Sequence, residues 1–245
     1  MKRSTFFIFG VICSLMISFI GMTSCAKSST EEQSEEQSEK QCKKQCEKPA
    51  KHGILEIWEV YDPELLKPAL EAVNEMTEED ETPLHVILSY YYSYGASVGQ
   101  AFYHDTIRIN EILNSKEAKA LFPEDIRFVW TKHPINPRGG FYQLIALQAK
   151  DGGPAMYGDL IKDAYVEEAS YGEWAVTCEF NETAAKDFQD LTRYNVNRNL
   201  AVVIDGKVYC YPHVMDEISG GKCQISAPFE DEDEALQLAK RLVNE

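Results

Sequence analysis

Positive charge is scarce in this sequence: 24 Lys and Arg stand against 40 Asp and Glu, leaving a formal charge of −16 over 245 residues. A protein that grips a nucleic-acid backbone uses a stripe of Lys and Arg, and with none present a nucleic-acid partner is excluded. An acidic surface favours solubility and repels anionic lipid headgroups. Long apolar runs are missing after Ile20, so no later segment reaches the ~20 residues a spanning helix needs. Glycine loops for phosphate and H-E-x-x-H ligand spacing are absent too. His85, His104, His133 and His213 therefore stand without a catalytic framework, and no catalytic residue, metal or cofactor is assigned. A nucleophile pair of Cys178 with His213 is the one enzymatic arrangement the residue types allow, and no motif supports it.

What is present begins with the N-terminus. Lys2 and Arg3 precede an apolar stretch from Phe6 to Ile20, broken only by Gly10, Ser14 and Ser18. Small and polar residues follow at Gly21, Thr23 and Ser24, ending at Cys25. This is the pattern of an export signal over 1–24, and its apolar run of roughly 15 residues is too short to span a bilayer. Met22-Thr23-Ser24-Cys25 resembles the lipobox of bacterial lipoproteins, with Met22 where Leu is usual. The resemblance implies cleavage before Cys25 and a lipid anchor on its thiol; an ordinary cleaved signal with an incidental cysteine is the alternative. Three acyl chains exceed the two signals that stable membrane attachment requires. The implied setting is the bacterial cell envelope, with the domain in the periplasm or on the cell surface. Ala26 is not the aspartate that signals inner-membrane retention, which favours the outer membrane.

Residues 25–53 read as the lipidated cysteine and a tether. Glu31 to Cys46 is four tetrapeptides, EEQS, EEQS, EKQC and KKQC, with no apolar face to bury. On a transient helix Cys42 and Cys46 share one side, but only His52 lies near as a further ligand, too few for a structural metal site.

Past Gly53 the pattern becomes globular. Ile54 to Val60 reads as a strand, and Leu66, Leu70 and Val73 as the stripe of a helix whose start Pro68 obscures. A tyrosine-rich stretch and a small-residue loop with Gly95 and Gly99 follow. Asp105 and Ser115 are candidate caps for two helices, the second stopping at Pro123, and Phe128 to Trp130 reads as a strand. The Pro- and Gly-rich run from Pro134 to Gly140 marks a boundary.

Beyond that boundary, Phe141 to Ala149 alternates like a strand, and Val176, Cys178 and Phe180 form one strand face before a helix capped by Asn181. Asp205-Gly206 between two apolar runs is a strong hairpin signal. A strand opens at Gly220-Gly221, and a final helix starts at the acidic run 230–234, read as a solvated helix start. The class is α+β, an antiparallel or mixed sheet with helices packed on one face, divided into a smaller region 54–135 and a larger one 141–245.

Ala175 to Ala239 resembles the head of the first periplasmic domain of SecD and fused SecDF, accessory subunits of the Sec protein-export channel. The residues that carry it are Asn181-Glu182 leading into Ala184-Ala185-Lys186, Leu191-Thr192, Asn195-Val196, and the run from Leu200 to Val208. Ile218-Ser219-Gly220-Gly221 and Gln224-Ile225-Ser226 continue it, and Gly158-Asp159 and Asp163-Ala164 extend it upstream. The region 54–135 is similar to the base of the same domain. The resemblance implies a non-enzymatic protein whose partner is unfolded polypeptide, an exported protein or the Sec machinery, attached to a membrane through its lipid. In that family the domain sits between membrane helices that couple proton flow to export. None is expected here, so neither is proton coupling. A divergent copy serving as a structural module of another envelope assembly is the competing reading.

Cys210 and Cys223 stand where the family has serine, on strands expected to be neighbours, and are the candidate disulfide. It would close a loop of about a dozen residues and stabilise by roughly 3 kcal/mol. Cys178 shares a face with Val176 and Phe180 and is expected to pack as a small hydrophobe. Tyr90, Tyr91, Tyr92, Tyr94, Phe102 and Tyr103 are the candidate peptide-contact surface, because aromatic rings grip polypeptide without demanding its sequence.

Overall fold

In a computed structural model the described residues are 54–89, 95–135, 139–158, 160–169 and 172–244. The expectations at Cys25, Cys42, Cys46, Tyr90, Tyr91, Tyr92 and Tyr94 lie outside them.

The period-2 pattern of the first strand organises the interior. In β1 (Leu55–Val60), Leu55 and Ile57 face one core, while Trp58 and Val60 face another. β1 pairs antiparallel with β8 (Leu200–Ile204), Leu55 opposite Ile204 and Glu59 opposite Leu200. β8 alternates likewise: Leu200, Val202 and Ile204 join Leu55, whereas Ala201 and Val203 join Trp58. β8 turns into β9 (Lys207–Cys210) at Asp205 and Gly206, with φ of 51° and 69°. Two consecutive positive φ angles are what a two-residue primed turn requires, so the hairpin read from these residues is present.

β4 (Phe141–Gln148) is the hub on the other side of β1. It pairs antiparallel with β1, with β2 (Ser97–Phe102) and with β3 (Ile126–Trp130). At the end of β3, Thr131 forms a parallel bridge to Val208, and Lys132 N–H donates to the Val208 carbonyl at 2.8 Å. That bridge joins β3 to β9 and closes β4, β1, β8, β9 and β3 into a ring. Trp58, Ile145, Leu147, Val203 and Val208 fill its interior. Closure hides backbone edges that an open sheet would expose.

Around the ring lie two further layers. One is helical: α1 (Pro63–Met76), α2 (Leu84–Ile87), α3 (Thr106–Leu113) and α4 (Lys116–Lys119) bury Leu70, Leu84, Ile109 and Ala118 against β2, β3 and β4. Asp62 caps α1 through the Glu64 N–H, and Pro63 sits where a missing N–H costs nothing; the helix starts there and continues through Pro68, which lies inside it. The other layer is a three-stranded antiparallel sheet ordered β10 (Lys222–Ser226), β7 (Trp174–Phe180) and β6 (Ile161–Glu168), with α5 (Glu182–Tyr194) and α6 (Glu232–Asn244). Val176, Phe188, Ile225 and Leu238 pack there against Leu55 and Ile204 of the ring. β5 (Met156–Tyr157) adds a short ladder to β1.

The class is α+β, as read from the sequence, but with two sheets and helices in more than one layer. Regions 54–135 and 141–245 share the ring: β1 pairs with β8, and β4 takes β2 and β3 as partners. Among the described residues no helix is long and apolar enough to cross a membrane.

Candidate functional site: an aromatic patch and a thiol cluster

β2 lies at one end of the seven-stranded sheet and delivers aromatic side chains to the surface. Its pairing with β4 sets Phe102 opposite Phe141 and Ala101 opposite Tyr142. The Phe102 and Phe141 rings are 4.0 Å apart between centroids. A 3₁₀ turn over Tyr103–Asp105 then reverses the chain, stacking His104 on Phe102 at 5.5 Å and setting Tyr103 against Tyr142 at 5.8 Å. The turn is held by the Thr106 hydroxyl, which donates to the Tyr103 carbonyl at 2.8 Å. Asp105, the cap read from the sequence, makes no capping hydrogen bond and lies 3.4 Å from His104 instead. Phe102 is 42% and Tyr103 71% exposed, and Ile107 on α3 adds a 68% exposed apolar side chain. Of the predicted contact residues, the two described ones are thus together and open to solvent. Phe141, Tyr142 and Ile107 were not picked out from sequence. Phe141 and Tyr142 join through strand register, which nothing local encodes.

The second group is three free thiols: Cys178 on β7, Cys223 on β10 and Cys210 at the end of β9. Cys178 and Cys223 are opposite each other in the β7–β10 register, and Cys210 packs against the same core. β9 and β10, the strands that carry Cys210 and Cys223, belong to different sheets. The two strands still meet, because the Ser226 backbone hydrogen-bonds Cys210. Cys178 is fully buried, as expected for a small hydrophobe. Burial pushes all three thiols up, Cys223 to about 12, and neighbouring thiols add to the effect at Cys178 and Cys210. A protonated buried thiol is the opposite of an activated nucleophile.

His133 lines a cavity of about 430 Å³ together with Gln143, Cys210 and Tyr211. Tyr209 and Phe229 present their rings to it at 5.8 and 6.0 Å. Its Nε2 is 3.5 Å from Glu234 Oε1 and has no hydrogen-bond partner. Burial lowers the His133 pKa, against the upward pull of the Glu234 carboxylate. His213 is exposed, with Nδ1 3.5 Å from Asn199 Oδ1. A second, apolar opening of about 320 Å³ lies between α5 and the segment after β9, lined by Phe188, Val214, Met215 and Ile218.

Residues 143–244 match the family model for the P1 head subdomain of SecDF. The chain is 38% identical over 96 residues to protein translocase subunit SecD of Acidaminococcus fermentans, covering 39% of this chain and 23% of that one. It is 30% identical over 122 residues to protein translocase subunit SecD of Rhodothermus marinus, covering 50% of this chain and 20% of the relative. A crystal structure of SecDF in a super-membrane-facing form is similar at 20% identity and a TM-score of 0.40, over 78% of this chain and 18% of the other. The chain thus spans about a fifth of the length of the first curated relatives it matches. Over residues 143–244, the protein is similar to the P1 head subdomain of the SecDF translocase subunits.

Proposed function

We propose that this is a non-enzymatic envelope protein, held to a membrane by a lipid on Cys25, that binds unfolded polypeptide in or near protein export. The match to the SecDF P1 head supports an export-related domain on the periplasmic side. The observation that carries polypeptide binding is the ring cluster in which exposed Phe102 and Tyr103 lie against half-buried Phe141 and Tyr142. Tyrosine and phenylalanine offer apolar area with little rotamer entropy to lose, and their contacts tolerate many peptide sequences. A formal charge of −16 further discourages association with other acidic surfaces and keeps the domain apart from anionic headgroups.

The test is photocrosslinking in live cells from a reactive side chain placed at Tyr103. Adducts enriched in exported polypeptides or export components are the expected result. Adducts that track cellular protein abundance contradict the reading. A gene deletion with a pulse-chase export assay separates it from a structural role in another envelope assembly. The proposal expects slowed export, and the structural role leaves export unchanged.

A further inference from the structure

The three thiols straddle the contact between the ring and the outer sheet. Cys210 ends β9, a ring strand, and Cys223 lies on β10 of the three-stranded sheet. Cys223 faces Cys178 across the β7–β10 ladder, and Cys210 meets the same core from the ring side. Cα atoms opposite each other in an antiparallel ladder are about 4.5–5.5 Å apart, within the range a disulfide spans. That spacing makes Cys178 a candidate partner of Cys223 within the sheet, and Cys210 approaches from the ring side, where it hydrogen-bonds the Ser226 backbone on the same strand and feels the Cys223 thiol. The thiols differ in access. Cys210 lines the cavity of about 430 Å³ beside His133, and Cys223 lines the separate opening of about 320 Å³ beside α5. Cys178 lines neither and is 0% exposed.

We infer that Cys178, Cys210 and Cys223 form one redox centre that holds a single disulfide, with Cys223 as the obligatory partner. The Cys210–Cys223 bond forms first and staples the ring to the outer sheet. Cys178 stays a thiol behind it and resolves the bond by exchange. In the first step a small disulfide such as oxidised glutathione supplies the oxidising equivalents. Cys210 and Cys223 give up two protons and two electrons, an S–S bond forms between them, and the donor's S–S bond breaks to leave two thiols. In the exchange step the Cys178 sulfur, losing its proton, attacks Cys223. The Cys210–Cys223 bond breaks, and Cys210 leaves as a thiolate that takes up a proton. No net oxidation accompanies that step. The raised pKa values make both steps slow at neutral pH, because only the thiolate attacks.

Mass spectrometry of the oxidised-glutathione-treated chain, digested under acidic non-reducing conditions, tests the assignment. The wild-type chain is expected to give a linked peptide pair joining Cys210 to Cys223 early in the time course, with Cys178 free, and a Cys178–Cys223 pair that grows at its expense later. A Cys178–Cys223 pair that precedes the Cys210–Cys223 pair contradicts the order. Cys210→Ala is expected to move the link to Cys178–Cys223, and Cys223→Ala to abolish any link among the three positions. Three free thiols in the oxidised wild-type chain, or a Cys178–Cys210 link in Cys223→Ala, overturns the proposal. Since a core substitution can impair folding, the wild-type chain supplies an independent readout. Under native conditions iodoacetamide is expected to label Cys210 and Cys223 before Cys178. Labelling of Cys178 at an equal or faster rate contradicts the difference in access on which the order of events rests.

Discussion

At the scale of single residues, His133 and Gly221 show how local chemistry fixes what the protein tolerates. His133 is buried among Tyr209 and Phe229, and burial lowers its pKa from the ordinary 6.5. Between the lowered folded value and 6.5 the unfolded chain binds more protons than the folded one, so stability falls as pH falls through 6.5. Replacing His133 by Phe removes that proton uptake. Urea midpoints measured against pH are expected to slope downward there for the wild-type chain and to flatten for His133→Phe. Gly221 has φ of 63°, and a Cβ added there would lie 2.6 Å from the Ala185 Cβ on α5. Gly221→Ala thus combines left-handed backbone strain with overpacking, and is expected to cost about 2–4 kcal/mol in chemical denaturation. The sequence placed Gly221 at the opening of a strand. That α5 passes close enough to forbid a methyl group is a tertiary fact that no neighbouring residue announces.

At the scale of elements, legibility follows the range of the interaction. Asn181 was read as a cap, and its Oδ1 accepts from the Thr183 and Ala184 N–H groups at 3.1 Å. Asn181→Ala is expected to destabilise by about 1 kcal/mol, read from the thermal midpoint. Ser115 caps α4 through the Ala118 N–H as anticipated. The acidic run at the start of α6 is more than solvated surface: Glu234 N–H donates to Asp231, and Glu234 accepts from Glu230 N–H. β2 falls where the sequence reads as a small-residue loop with Gly95 and Gly99, yet β4 supplies an antiparallel ladder from Ser97 to Phe102, with a register shift between Ser97 and Gly99. β6, with Lys162, Asp163, Glu167 and Glu168, is too polar to show a buried face. It is held by its ladder to β7, by Glu167 accepting from the Thr177 hydroxyl, and by Gln224 of β10 donating to Glu167 at 2.7 Å. Ring closure through Thr131 and Val208 is the longest-range of these features and left no trace in local pattern.

At the scale of the whole molecule, charge and shape pull apart two modes of polypeptide binding. A formal charge of −16 attracts cationic chains through the solvent, and such attraction is screened as salt shortens the Debye length to about 3 Å at 1 M. Capture by the aromatic patch depends on apolar contact and survives screening. Affinity for an uncharged unfolded polypeptide is therefore expected to change less than about twofold between low and high salt. A steep salt dependence would assign the binding to the acidic surface instead. The patch residues Phe102, Tyr103, Ile107, Phe141 and Tyr142 all precede residues 143–244, the stretch that matches the P1 head subdomain, and β4 carries the chain from the patch into that stretch.

The most direct test is fluorescence anisotropy with a labelled, permanently unfolded and uncharged model polypeptide, titrated with the wild-type chain, Phe102→Ala and Tyr103→Ala. Circular dichroism verifies that each variant is folded. The account predicts saturable binding to the wild-type chain and a loss of about 1–2 kcal/mol for each variant, roughly 5- to 30-fold in affinity. No saturable binding to the wild-type chain, or affinities for both folded variants equal to wild type, would contradict it.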